Sequence, residues 1–272
     1  MIWERKRPMK VIRKEVGEQK AVLTGYLHEY MVEVPDRILR PAIIFCPGGG
    51  YEKLSPREAD PPAFAFFAKG FQTFVLQYSI GEKAGDQNPL RELSEAVQLL
   101  RRNSKEWLIC DNQITVAGFS AGAHVAASLG VHFDRVAQKG RKNENRPDAL
   151  LLCYPVITSG EFAHRGSIER VCGNQKDAKS RQFWSLEQYV NENTPPTFLW
   201  HTMNDTSVPV ENSILFLQAL HRHGVMCEAH LFAEGVHGSS TCCHEVRTVN
   251  EQCAVWVELA ASWLEKLFDF KE

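Results

Sequence analysis

The chain has 272 residues, 44% of them hydrophobic and 24% charged, with a formal net charge of -2 at pH 7. That length can bury enough apolar surface for one large α/β domain, and the composition excludes collagen-like, disordered and disulfide-scaffold classes. The near-neutral charge excludes the basic footprint of a nucleic-acid binder, and no apolar run reaches the length of a membrane span.

The amino terminus, Met1-Ile-Trp-Glu-Arg-Lys-Arg-Pro-Met-Lys10, is charged with no apolar run behind it, so it does not read as a secretory leader. Of the eight cysteines, Cys46, Cys153 and Cys227 fall inside apolar strand-like runs and read as buried thiols. Together these features set the expectation of a reducing cytoplasm.

Short β-branched runs alternate with amphipathic stretches, which predicts a mainly parallel sheet with helices on both faces. Early antiparallel strands are expected near 10–16 and 21–34. Pro41-Ala-Ile-Ile-Phe-Cys46 follows as a strand buried on both faces, and the chain turns at Pro47-Gly-Gly-Gly50. A helix near 60–69 precedes the strand Thr73–Tyr78, and a helix from Pro89 to about Trp107 precedes Ile114–Ala117. Small residues after Ser120 start a helix that ends near Gly130. Gln138 to Asp148 reads as a surface loop with nothing to fill a core, ahead of a strand Ala149–Tyr154.

Residues 156–194 interrupt the rhythm with Gly160, Gly166 and Gly173 and short helical pieces such as Phe183–Tyr189, and are expected to form a small cap on a single domain spanning 1–272. A strand Thr197–His201, a helix Val210–His223, a strand Cys227–Phe232 and a final helix Val246–Phe268 complete the chain.

Gly118-Phe-Ser-Ala-Gly122 sits between a good strand and a small-residue helix start. In that context Gly-x-Ser-x-Gly forms a strained turn that holds the serine out at the sheet's edge, with the helix amino terminus directed at a developing oxyanion. Ser120 is therefore the candidate nucleophile. Glycines after the first parallel strand let backbone N–H groups approach a substrate closely, so Gly49, Gly50 and Ala121 are the expected oxyanion donors.

A serine hydroxyl needs a histidine to take its proton and an acid to orient that histidine, in the chain order Ser, Asp or Glu, His. Asp205, in His201-Thr-Met-Asn-Asp-Thr-Ser-Val-Pro209, and His237, in Gly235-Val-His-Gly238, both follow strand ends. They are the candidate acid and base, although Asp205 could instead cap the helix after Pro209 and His237 could be a surface histidine. His124, His132, His164, His201, His221 and His223 lack comparable context, with His221 and His223 expected on an exposed helix face. Cys242, Cys243 and His244 carry metal-capable atoms, but adjacent cysteines do not match zinc-site spacing, so neither metal nor organic cofactor is expected. Tyr51 and Tyr154 are the expected substrate contacts.

Assembled, the chain resembles the α/β-hydrolase esterases of the acetyl-xylan-esterase-like and hormone-sensitive-lipase-like group, including bacterial sugar hydrolases. The carriers, across about residues 40–268, are Pro47-Gly-Gly-Gly-Tyr51, Tyr78, Pro89-Leu90 with Glu92 and Arg101, Gly118–Gly122, Thr194-Pro-Pro-Thr-Phe-Leu-Trp-His201, Asp205 with Val208-Pro209, and Gly235–Gly238. The resemblance implies hydrolysis of short acyl esters, with acetyl groups on carbohydrates as the expected substrates. Pro47 stands where many esterases carry histidine, so the loop must be anchored differently, and Glu92 stands where aspartate is expected, at a helix anchor.

The expected partner is a small-molecule ester, with no nucleic acid and no membrane. A homodimer stays open, because the final helix suits monomers and dimers alike. An acyl-peptide hydrolase or peptidase shares the triad but usually adds a large domain for which this chain has no room. A non-catalytic ligand-binding protein on the same scaffold would not need Ser120, Asp205 and His237 intact.

Overall fold

The computed structural model describes residues 9–31, 38–137, 144–175 and 177–270. Its strands are β1 (Met9–Val16), β2 (Ala21–His28), β3 (Arg40–Cys46), β4 (Gln72–Gln77), β5 (Ile109–Phe119), β6 (Ala149–Cys153), β7 (Thr197–Thr202) and β8 (Cys227–Phe232). They form one sheet in the order β1-β2-β4-β3-β5-β6-β7-β8. β2 pairs antiparallel with β1 and β4, and every other pair is parallel. The α/β-hydrolase architecture expected from the sequence is the one observed.

The helices are α1 (Asp60–Phe67), α2 (Asn88–Arg102), α3 (Ala121–His132), α4 (Arg165–Cys172), α5 (Ala178–Phe183), α6 (Glu211–Arg222), α7 (Glu251–Ala254) and α8 (Trp256–Phe268). Side chains alternate across each strand, so the sheet feeds two cores. Ala42, Ile44 and Cys46 of β3 join one with Leu93 and Val97 of α2, Val125 of α3 and Phe216 of α6. Ile43 and Phe45 join the other, with Phe66 of α1 and Trp256, Trp263 and Leu264 of α8. The central strands are buried on both sides, which is why they read as continuous apolar runs. The insert between β6 and β7 carries α4, α5 and a 3-10 turn at Leu186–Gln188.

Several boundaries differ from the sequence reading. α2 stops at Arg102 instead of running to Trp107, and Asn103 turns its side-chain amide back onto the Leu99 carbonyl at 2.8 Å. The expected final helix from Val246 is broken: Arg247 adopts a left-handed backbone, and Asn250 caps α7 by accepting from the Cys253 N–H at 3.0 Å. β2 ends at His28, and residues 32–37 of the strand expected to reach 34 lie outside the described residues, as do residues 1–8 of the amino terminus and 138–143 of the long loop.

The rest of that loop corrects the expectation that nothing in it enters the core. Asn145 is fully buried, donating to Ser94 Oγ at 2.9 Å and the Phe133 carbonyl at 2.7 Å. Arg101 fastens the same segment through the Glu144 and Arg146 carbonyls and an ion pair with Asp148 at 3.1 Å. Cys46 and Cys153 are buried, whereas Cys227 is only half-buried because β8 is the edge strand. Among the described residues no helix is long and apolar enough to cross a membrane.

Candidate active site

β5 passes into α3 through Ser120, whose backbone lies at φ 53°, ψ -118°, a region L residues rarely occupy. The turn is this tight because backbones touch. A Cβ on Gly118 would fall 2.3 Å from the Gly122 carbonyl oxygen, and one on Gly122 would fall 2.0 Å from the Cys46 carbonyl oxygen. Surrounding hydrogen bonds hold the strained residue: Ser120 N–H donates to the Cys153 carbonyl at 3.0 Å, and its own carbonyl accepts from His124 and Val156 N–H, each at 3.2 Å.

Two loops bring partners to this serine. Ser120 Oγ lies 2.8 Å from His237 Nε2, and His237 Nδ1 lies 2.6 Å from Asp205 Oδ2. With Nδ1 donating to the carboxylate, Nε2 is left to accept the serine hydroxyl. Such a chain can take a proton from the alcohol as it attacks and stabilise the charge that forms on the ring.

The Asp205 side chain is fully buried. Its Oδ1 accepts from the N–H groups of Ser207 and Val208 at 2.8 and 2.9 Å, so it orders its own turn, and Val210 occupies the N-cap of α6. Burial works to raise its pKa. Hydrogen bonds from His201 and His237, the charge of His237 and the Val208 N–H outweigh that and hold the carboxyl well below the usual range.

His201, set aside on sequence as a strand residue, is thus a second histidine on the acid. Its Nε2 lies 3.0 Å from the Val208 carbonyl, which can only accept, so Nε2 carries the hydrogen and shares it with Asp205 Oδ2 at 3.2 Å. Ser213 Oγ then donates to Nδ1 at 2.8 Å.

The glycine loop is anchored without a histidine at position 47. Tyr78 donates its hydroxyl to the Pro47 carbonyl at 2.7 Å, and the Gly48 N–H donates to Glu58 Oε2 at 3.1 Å. Gly49 takes φ +125°, and a Cβ there would lie 2.1 Å from the Lys53 carbonyl oxygen, so only glycine fits. Gly49 and Gly50 are half-buried, and Ala121 begins α3 beside Ser120.

Tyr51 and Tyr154, expected as substrate contacts, are each only 1% exposed and are corrected here to internal supports. Tyr51 donates its hydroxyl to His124 Nδ1 at 2.7 Å, and His124 Nε2 reaches the Trp184 carbonyl at 3.1 Å, linking the glycine loop, α3 and the insert. Tyr154 donates to Glu58 Oε1 at 2.7 Å, accepts from the Ser240 N–H at 2.9 Å, and sets its ring edge-on to His237, centroids 5.0 Å apart.

Glu58, which the sequence reading missed, is the junction of this network. Only 3% exposed, its two carboxylate oxygens hold the glycine loop through Gly48 and, through Tyr154, the loop that bears His237. Glu92, at the expected helix anchor, is likewise buried and accepts from both Ser79 N–H and Ser79 Oγ. Cys242 is buried with Sγ 3.4 Å from Ser239 Oγ, and among the described residues no group of three His, Cys, Asp or Glu side chains could hold a metal ion. His221 and His223 are exposed on α6 and its end. His164 lies beside Gly50.

Residues 30–220 match the family model described as BD-FAE. The chain is 36% identical over 222 residues to endo-1,4-beta-xylanase B of Butyrivibrio fibrisolvens, covering 79% of this chain and 34% of that protein. It is 30% identical over 212 residues to an acetylxylan esterase of Xylanibacter ruminicola, covering 75% of this chain and 42% of that protein. The chain therefore spans well under half the length of either relative. Among solved structures, an acetyl ester-xyloside bifunctional hydrolase from Caldicellulosiruptor lactoaceticus superposes with a TM-score of 0.83 at 36% identity, over 94% of this chain and 91% of that one. With the family model matching well over half of its length and a solved hydrolase matching it nearly end to end, this α/β-hydrolase chain belongs to the BD-FAE family.

Proposed function

We propose that the chain is a serine carboxylic-ester hydrolase that removes short acyl groups, acetyl above all, from carbohydrate alcohols. The observation that carries this reading is the continuous hydrogen-bonded run from Ser120 Oγ through His237 to the buried Asp205, at 2.8 and 2.6 Å. Acyl transfer is the chemistry such a run serves. The relatives named above support the acyl and alcohol preference.

In this mechanism Ser120 Oγ attacks the ester carbonyl as His237 Nε2 takes its proton, and Asp205 stabilises the imidazolium through Nδ1. Glu58 occupies the Gly48 N–H, so in this reading the oxyanion is received by the N–H groups of Gly49, Gly50 and Ala121. Among the described residues no protein acceptor engages those three donors. Collapse of the tetrahedral adduct returns the proton from His237 to the departing alcohol and leaves an acyl-Ser120 ester. Water, deprotonated by His237, then releases the acid and restores the serine.

The reading is tested with a fluorophosphonate probe and 4-nitrophenyl acetate. The chain is expected to be labelled and active, and Ser120→Ala to be neither. Labelling that persists in Ser120→Ala would exclude Ser120 as the nucleophile.

A further inference from the structure

The insert between β6 and β7 brings to the glycine loop an imidazole, His164, that the mechanism above does not use. His164 forms the N-cap of α4, its Nδ1 accepting from the Ser167 N–H at 3.3 Å and lying 2.8 Å from Ser167 Oγ. A backbone N–H can only donate, so Nδ1 is unprotonated and the neutral ring carries its hydrogen on Nε2. Among the described residues nothing accepts from that Nε2–H.

The ring lies against the glycine loop. Its Cε1, the carbon bonded to both nitrogens, lies 3.9 Å from where a Cβ on Gly50 would project. Arg170 of the same helix donates to the Gly50 carbonyl at 3.4 Å and to Glu52 Oε2 at 2.7 Å, which registers α4 on the glycine loop. Burial first, then the charges of His237 and Arg170, depress the pKa of His164 against the opposing pull of Asp205, so the ring stays a neutral donor within the field of the catalytic groups.

We propose that His164 donates a hydrogen bond from Nε2 to an oxygen on the alcohol half of the bound ester, selecting esters whose alcohol carries further oxygen atoms, as carbohydrates do. The inference rests on the ester-hydrolase reading. In the proposed mechanism backbone N–H groups receive the oxyanion, so a donor on the insert beside Gly50 is left for the alcohol half of the substrate. A cyclohexyl or aryl alcohol offers no acceptor at that point, and a sugar offers a hydroxyl or ring oxygen.

The test is His164→Asn. Asparagine is a favoured N-cap and keeps an acceptor for the Ser167 N–H, but its shorter side chain cannot place a donor where Nε2 stands. On a mono-acetylated xyloside, kcat/KM is expected to fall roughly tenfold, the loss of about one hydrogen bond. Cyclohexyl acetate and phenyl acetate turnover, fluorophosphonate labelling of Ser120 and the melting midpoint are expected to stay at parent values. An unchanged xyloside rate, or an equal fall on all three esters, would overturn the proposal. A parent enzyme that the probe does not label would sink the hydrolase reading itself, and the assignment of His164 with it.

Discussion

Replacing Glu58 by glutamine removes one acceptor from the junction between the glycine loop and the histidine loop. The two carboxylate oxygens accept from Gly48 N–H and Tyr154 OH at 3.1 and 2.7 Å. An amide has a single acceptor oxygen: kept on Gly48 N–H, it leaves the Tyr154 O–H without its acceptor and crowds a second donor onto a phenol oxygen that already accepts from Ser240 N–H; turned to Tyr154, it sets an NH2 group against the Gly48 N–H. A buried bond to a carboxylate is worth about 1.5–3 kcal/mol, and an orphaned buried donor costs a comparable amount. If Gly48 loses its acceptor the effect reaches Ser120 directly, because a Cβ on Gly48 would lie only 3.1 Å from Ser120 Cβ. A displacement of about 1 Å in catalytic geometry can cost about 10²-fold in rate. The expected outcome for Glu58→Gln is a 10- to 100-fold fall in kcat on 4-nitrophenyl acetate, roughly 1.4–2.7 kcal/mol in the barrier, with a lower melting midpoint. Parent kcat together with a parent melting curve would refute the role given to this carboxylate.

Three further outcomes follow from the same geometry. Asp205→Asn should lower kcat by about 10⁴-fold with the fold retained, since an amide can impose the wrong tautomer on His237; near-parent turnover would move the acid elsewhere. Gly122→Ala should abolish expression of folded enzyme or its labelling, because the added methyl would meet the Cys46 carbonyl oxygen at 2.0 Å, and an active, stable Gly122→Ala would contradict the close approach of α3 to β3. The third concerns pH.

Burial pushes His124 and His132 each down to about 4, below the 6.5 of a free imidazole, against the raising effect of hydrogen bonds to the Trp184 and Phe183 carbonyls. The unfolded chain therefore binds more protons than the folded one between these values. Stability is full above about pH 6.5, falls as the pH drops toward 4, and at pH 5 is reduced by about 2 kcal/mol per histidine. His132→Gln, which keeps a donor for the Phe183 carbonyl, should flatten the decline of melting midpoint with pH; an unaltered slope would count against it.

The parts of the site legible in the sequence are those whose chemistry is tied to a strand end by a short motif. The elbow glycines, Asp205 and His237 all announce themselves within a few residues of a strand. Glu58 does not, because its role depends on Tyr154, a contact 96 positions away in the chain. His201 was hidden for the opposite reason: a polar residue on a buried strand has no local feature that reveals a partner four residues on. Tyr51 and Tyr154 were misread because a polar-tipped aromatic beside a loop looks the same whether it turns inward or outward. Both have positive φ, 60° and 37°, and their hydroxyls end on buried partners. The break before α7 was visible in principle, since Asn250 is a good N-cap, but the apolar period of α8 carried the helix reading past it.

The hydrogen bonds that join Ser120, His237, Tyr154, Glu58 and Ser240 link residues 117, 96 and 86 positions apart. The full set cannot close until β3, β5, β6, β7 and β8 are aligned side by side, and pairing so distant in sequence is slow to find. During refolding, helical signal should therefore recover well before Ser120 becomes reactive. A half-assembled chain would hold Ser120 without His237 and Asp205, so that under the proposed function probe labelling of Ser120 reports alignment of β3 with β5 through β8.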